Sequence, residues 1–140
     1  MRTAIDTNVL VALWHTDQQL YIAARKALDA VLERGGLVIC GAVYAELLAR
    51  PGRTESMLNE FFRVTGIRVD WELSEQVWRE AGRVFQRYVD RRNRGKQELP
   101  RRILADFVIG AHASLNHCRL MTLDQRLYPA AFPELEIISF

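Results

Sequence analysis

The sequence predicts an α/β fold in which helices cover both faces of a parallel β-sheet. Short apolar runs of strand length alternate along the chain with longer stretches whose apolar residues recur at helical spacing. Those short runs are continuously apolar rather than alternating, the pattern of strands buried on both sides.

The first run, Thr3 to Ile5, reads as a buried strand that ends at Asp6. Thr7 to Trp14 follows as a short helix. A longer helix starts near Asp17 and sets Leu20, Ala23, Ala24, Ala27, Leu28, Val31 and Leu32 on one face, until Gly35 and Gly36 stop it. Leu37 to Cys40 is the second strand, and Gly41 turns the chain into a helix from Ala42 to Ala49, closed by Pro51. Thr54 begins a further helix that Gly66 ends, and Ile67 to Val69 is the third strand. Ser74 caps a helix with a buried stripe of Val77, Trp78, Ala81, Val84, Phe85 and Tyr88. Arg91 to Arg102 reads as a helix tail and loop, punctuated by Gly95 and Pro100. A helix of small residues runs from Ile103 to about Leu115, and Leu120 to Thr122 is the fourth strand. A short turn or helix spans Asp124 to Tyr128, and Glu136 to Phe140 is the fifth strand. No linker, repeat or low-complexity segment interrupts residues 1–140, so a single domain is expected.

The 140 residues are 49% apolar and 26% charged, the composition of an ordinary soluble globular protein. That length buries a core without disulfide or metal staples. No apolar run approaches the roughly 20 residues that span a bilayer, so no membrane association is expected. Asp6 interrupts the short apolar stretch after Arg2 and no small-residue cleavage site follows, so a secretory signal is not expected. Cys40 and Cys118 lie in apolar surroundings far apart, as reduced, buried thiols of a cytoplasmic protein would. The net charge of +2 hides an asymmetry: residues 91–102 carry a net +5 and the rest of the chain −3. A compact cationic segment on a mildly acidic body suits a polyanionic partner, although a solvated helix end reads the same way.

Four carboxylates stand out: Asp6, Glu46, Asp106 and Asp124. In open parallel sheets functional groups gather beyond the carboxyl ends of the strands. Asp6 ends the first strand, and Asp124 lies just past the fourth. Glu46 is about one turn into the helix leaving the second strand, and Asp106 is in the first turn of the helix preceding the fourth. Asp6 and Asp124 also sit where helix N-caps are expected, and Asp106 where a helix dipole favours an acid. Two carboxylates about 4 Å apart repel by roughly 4 kcal/mol at an effective dielectric near 20. With no matching internal cation in view, four converging acids call for a hard divalent counter-ion, Mg²⁺ or Mn²⁺.

Other chemistries lack their motifs. His15, His112 and His117 form no zinc-binding spacing, and His112 and His117 read as surface or core-edge residues. The Gly-x-Ser-x-Gly elbow, the phosphate-cradling Gly-Lys-Ser/Thr loop and the dinucleotide Gly-x-Gly-x-x-Gly are absent. A phosphatase of the haloacid-dehalogenase type would need a second Asp where Asn8 stands.

The run Ile5-Asp6-Thr7-Asn8-Val9-Leu10 resembles the opening of PIN-domain proteins, above all the VapC toxins of toxin–antitoxin pairs. The likeness continues through Tyr44-Ala45-Glu46-Leu47, through Leu104 to Ala113 around Asp106, and through Leu120-Met121-Thr122-Leu123-Asp124. Two departures are mild: Leu127 replaces a frequent Phe, and Gly110 stands where Ala is common but allows close packing. The resemblance implies a PIN-like three-layer α/β/α fold with a five-stranded parallel sheet and Mg²⁺- or Mn²⁺-dependent endonuclease activity on RNA. It makes Asp6, Glu46, Asp106 and Asp124 the catalytic metal ligands, with Thr7, Asn8 and Thr122 as supporting polar groups. It further implies a homodimer and a small VapB-like antitoxin partner. Beside that site, Arg91, Arg92, Arg94, Lys96, Arg101 and Arg102 are the candidate RNA-backbone contacts. A non-catalytic RNA- or antitoxin-binding module and a structure-specific DNA nuclease remain the alternatives.

Overall fold

A computed structural model of the chain describes residues 1–15, 17–95 and 99–140. At its centre lies β1 (Thr3–Ile5), flanked by β2 (Leu37–Cys40) and β4 (Arg119–Met121). β3 (Arg68–Asp70) and β5 (Ile137–Ile138) form the margins, giving the order β3-β2-β1-β4-β5. Every pairing is parallel, with Ala4 opposite Val38 on one side and Leu120 on the other. β1 and β2 are buried at every position, which requires cover on both faces. The α/β fold expected from the sequence is the one observed.

Among the described residues seven helices supply the cover: α1 (Thr7–Ala12), α2 (Gln18–Leu32), α3 (Gly41–Leu48), α4 (Glu55–Thr65), α5 (Glu75–Arg94), α6 (Leu104–Leu115) and α7 (Leu127–Ala131). Their ends follow local chemistry. Asp17, Thr54 and Ser74 accept backbone N–H groups at the starts of α2, α4 and α5. Gly66 closes α4 in the left-handed region at φ 72°, which glycine adopts without a Cβ clash. α6 passes so close to the Phe132 ring that a Cβ on Gly110 would collide with it.

Two expectations are corrected, for Trp78 and His112. Trp78 leaves the buried stripe of α5 and is 51% exposed, while Val77, Ala81, Val84 and Tyr88 keep it. The turn or helix expected from Asp124 to Tyr128 is a turn and then a helix: the Asp124 carboxylate ties the turn through the N–H groups of Arg126 and Leu127, and α7 begins at Leu127. His112 is neither at the surface nor at the edge of the core; it is 1% exposed.

His112 stays buried because its Nε2 lies 2.9 Å from Asp70 Oδ2 at the end of β3. Burial pushes the Asp70 carboxyl up, but hydrogen bonds from His112 and Arg68 outweigh it and hold Asp70 below its ordinary range. This contribution is therefore present above the carboxyl pKa of the unfolded chain and fades as pH falls through the lower folded value. His112→Ala, which leaves a cavity and a half-paired acid, is expected to cost about 2–4 kcal/mol in denaturant melts at neutral pH. A loss below about 1 kcal/mol would place the pair outside the stabilising core.

Candidate active site

β1 delivers Asp6 to the carboxyl edge of the sheet, where the carboxylate caps α1 by accepting the Thr7 N–H at 2.8 Å. Its second oxygen accepts the Thr122 hydroxyl at 2.7 Å, from just beyond the neighbouring β4. The Thr122 oxygen in turn accepts the Asp124 N–H at 2.9 Å. Thr122 thus couples two acids whose strands are adjacent only in the fold. Asn8 ties the same loop down, its Oδ1 accepting the Leu123 N–H at 3.1 Å. Thr7 donates its hydroxyl to Glu46 Oε1 at 2.6 Å, bridging α1 and α3.

Asp106 sits in the first turn of α6, which starts at the same edge. Asp6, Glu46, Asp106 and Asp124 all line one cleft of about 400 Å³, together with Thr7, Asn8, His15, Arg50 and Arg102. The structure therefore brings the four predicted acids together. Among the described residues, no three acid, histidine or cysteine side chains stand as a ready-made metal cage.

Electrostatics separate the four. Burial raises the Asp6 carboxyl to about 6, against hydrogen bonds from Thr122 and Thr7 that favour its charged form, and the Asp106 charge adds to the rise. Asp106 is raised as well, first by burial; Arg102 opposes the shift, and Glu46 and Asp124 reinforce it. Asp124 moves the other way: burial alone would raise it, but the N–H groups of Leu127 and Arg126 and the Arg102 guanidinium hold it low. Arg102 Nη1 is 2.8 Å from Asp124 Oδ2. The site thus contains an internal cation, and the expectation of four acids without one is corrected. Asp6 and Asp106 are the two acids whose burial outweighs the groups that favour their charged forms.

The donor set still suits a hard divalent cation, because it offers only oxygens and two of its acids are strained by burial and mutual repulsion. Two groups escaped the sequence reading. Tyr128, from α7, buries its hydroxyl near Asp6 but outside hydrogen-bond geometry; burial first, and then the Asp6 charge, keep it firmly protonated. In the sequence Arg102 is one member of a charge run, with nothing to mark it as the partner of Asp124. Of the basic segment, Arg91, Arg92 and Arg94 lie on α5 and Arg101 and Arg102 precede α6. Lys96 falls outside the described residues.

The model of the PIN domain matches residues 3–133. The chain belongs to the PIN-domain family. Solved structures similar to this PIN domain include VapBC2 from Rickettsia felis bound to a DNA fragment from its promoter. That match has 18% identity and a TM-score of 0.70, covering 100% of this chain and 99% of the other. VapBC-1 from nontypeable Haemophilus influenzae matches with 17% identity and a TM-score of 0.67, over 99% and 98% of the two chains. A toxin–antitoxin complex from Klebsiella pneumoniae matches with 17% identity and a TM-score of 0.62, over 97% and 95%. At these identities the likeness is one of fold. No curated protein matches the sequence.

Proposed function

We propose that this PIN domain is a metal-dependent endoribonuclease, the toxin of a type II toxin–antitoxin pair, formed by residues 1–140 as one domain. The observation that carries the reading is the cleft at the carboxyl edge, where four acids meet in a family whose members are generally nucleases. Asp6, Glu46, Asp106 and Asp124 would hold Mg²⁺ or Mn²⁺. When bound, such an ion supplies positive charge at the phosphate and lowers the pKa of water. The protein's own part is positioning. Thr122 and the Thr7 N–H fix both oxygens of Asp6, and the Thr7 hydroxyl aims Glu46. Asn8 holds Leu123, and with it the loop that carries Asp124. In the reaction a water oxygen bonds to phosphorus in line as the bond to the opposite phosphodiester oxygen breaks, and the proton lost by the water ends on that departing oxygen. Arg91, Arg92, Arg94, Lys96, Arg101 and Arg102 would hold flanking backbone phosphates, giving salt-sensitive affinity.

The partner reading draws on the solved relatives, which are toxin–antitoxin complexes. A homodimer in the cytoplasm fits three further features. Trp71, Trp78 and Leu104 are exposed along an apolar groove beside Glu46, a surface that a second copy would cover. Cys40 and Cys118 are free and buried, and among the described residues no helix is long and apolar enough to cross a membrane.

RNA cleavage in Mg²⁺ or Mn²⁺ tests the proposal, with Asp6→Asn and Asp106→Asn beside the wild type. Undiminished cleavage by both variants, or wild-type cleavage that persists in EDTA, would sink it. The Arg102–Asp124 ion pair favours one second reading, a binding module with little catalysis, since it already neutralises part of the site. Calorimetric titration with Mn²⁺ separates the two, because the inert module would take up no ion.

A further inference from the structure

We propose that a nucleotide-binding subsite adjoins the carboxylate cleft, between the C-terminal end of α5, the segment 99–102 and the start of α7. The proposal rests on the nuclease reading, with which it shares Arg91 and Arg102, and adds to it Arg126 and an apolar lining. A cavity of about 410 Å³ opens there, lined by Tyr88, Arg91, Leu99, Arg102, Arg126 and Leu127. Its size lies within the roughly 300–1,000 Å³ of small-molecule sites.

Three arginines from three parts of the chain line this cavity. Arg91 comes from the last turns of α5, Arg102 from just before α6, and Arg126 from just before α7. Among the described residues, neither Arg91 nor Arg126 takes part in an ion pair, unlike Arg63, Arg79 and Arg83 elsewhere on the surface. Arg102 gives one nitrogen to Asp124, while its Nε is buried without a hydrogen-bond partner among the described residues. A donor left in that condition costs free energy until an acceptor reaches it.

The remaining lining is apolar. Leu127 is buried and Leu99 half-buried, a floor on which a base or ribose can rest, while the buried Tyr88 ring lies under the Arg91 guanidinium, which is 5.9 Å from the ring centroid. The walls are tied together before any ligand arrives. The Tyr88 hydroxyl donates to the Pro100 carbonyl, and Arg92 Nε donates to the Leu99 carbonyl at 3.1 Å. Guanidinium forks over an apolar floor match a phosphate attached to a nucleoside.

Arg102 settles which phosphate. It lines both this cavity and the carboxylate cleft, so the two share one wall. Adjacent nucleotides of a single RNA strand can occupy the two sites together, one at the acids and the next at the arginines. Arg126 belongs to this site although it lies outside the basic run of residues 91–102, which is why charge counting along the chain passes over it.

Uridine 5′-monophosphate binding in EDTA tests the subsite without cleavage, with the wild type set against the Arg91→Ala/Arg126→Ala double variant. Both side chains are exposed, and an unchanged thermal melt verifies that the variant folds. The expected result is wild-type binding weakened about tenfold or more in the double variant, with uridine lacking phosphate bound poorly by both. The KM for RNA should rise by a similar factor. Wild type and double variant binding the nucleotide and RNA alike, while wild type cuts RNA, would overturn the subsite and leave the nuclease reading intact. Arginine-dependent nucleotide binding by a protein that cuts no RNA would support the subsite and overturn the nuclease reading. Arginine-dependent binding of polyglutamate but not of the nucleotide would overturn the proposal in favour of an acidic peptide.

Discussion

Asp6→Asn is expected to abolish RNA cleavage and, in EDTA at neutral pH, to make the protein more stable than wild type. The loss of activity should exceed the roughly 10–100-fold typical of residues that merely orient a ligand, since Asp6 lines the cleft as a proposed metal ligand itself. The gain in stability follows from its environment. Burial lifts its carboxyl from 3.8 to about 6, so the folded protein holds a proton that the unfolded chain releases. A shift of about two pH units corresponds to about 3 kcal/mol. The sign is fixed by linkage: the folded state binds more protons between about pH 4 and 6, so stability falls as pH rises through that window.

Above it the metal-free wild type carries the full cost, and Asn escapes it. Asn cannot reproduce both acceptor oxygens that meet Thr7 and Thr122, so a gain of roughly 1–2 kcal/mol is the expectation. Thermal melts from pH 4 to 8 in EDTA would reveal it as a difference that opens with rising pH. Adding Mn²⁺ should raise the wild-type midpoint more than that of the variant. A variant no more stable than wild type at pH 7.5 would mean that Asp6 is solvated rather than desolvated.

Gly110→Ala should be among the most damaging small substitutions in the chain. An alanine in a helix interior ordinarily stabilises by about 1 kcal/mol relative to glycine. Here the added methyl would drive into the buried ring of Phe132, and α6 cannot shift without moving Asp106. Overpacking of this kind costs about 1–3 kcal/mol or more, enough to reverse the gain from helix propensity. Phe132→Leu alone should destabilise by leaving a void, whereas the double variant should recover much of the loss by fitting methyl to void. Urea melts of the four proteins would measure the coupling. Additive effects would show that the ring moves aside freely.

The strands, the helices and the four acids were legible in the sequence because each depends on nearby residues. Continuous apolar runs mark buried strands, and an acid at a strand end falls on the functional edge whatever the remaining packing does. What could not be read depends on pairs far apart in the chain. Arg102 and Asp124 are separated by 22 positions, and inside a run of arginines nothing distinguishes the one that turns inward. His112 looked like an ordinary polar residue near a helix end until β3 placed Asp70 against it. Trp78 satisfied the helical period of the core face, yet it lies at the margin of that face, where period alone cannot tell cover from exposure.

The margins of the sheet bear on how the protein survives at high concentration. A sheet ends in unpaired backbone groups that invite strands from other molecules. On one side β3 is only Arg68–Asp70, and both end residues are charged and paired with each other. On the other side β5 offers two residues, Ile137–Ile138. Asp70, held in place by the buried His112, therefore also guards an edge: with it engaged, β3 presents charge and a short template to any passing chain. Loss of that histidine would loosen a gatekeeper against aggregation as well as weaken the core.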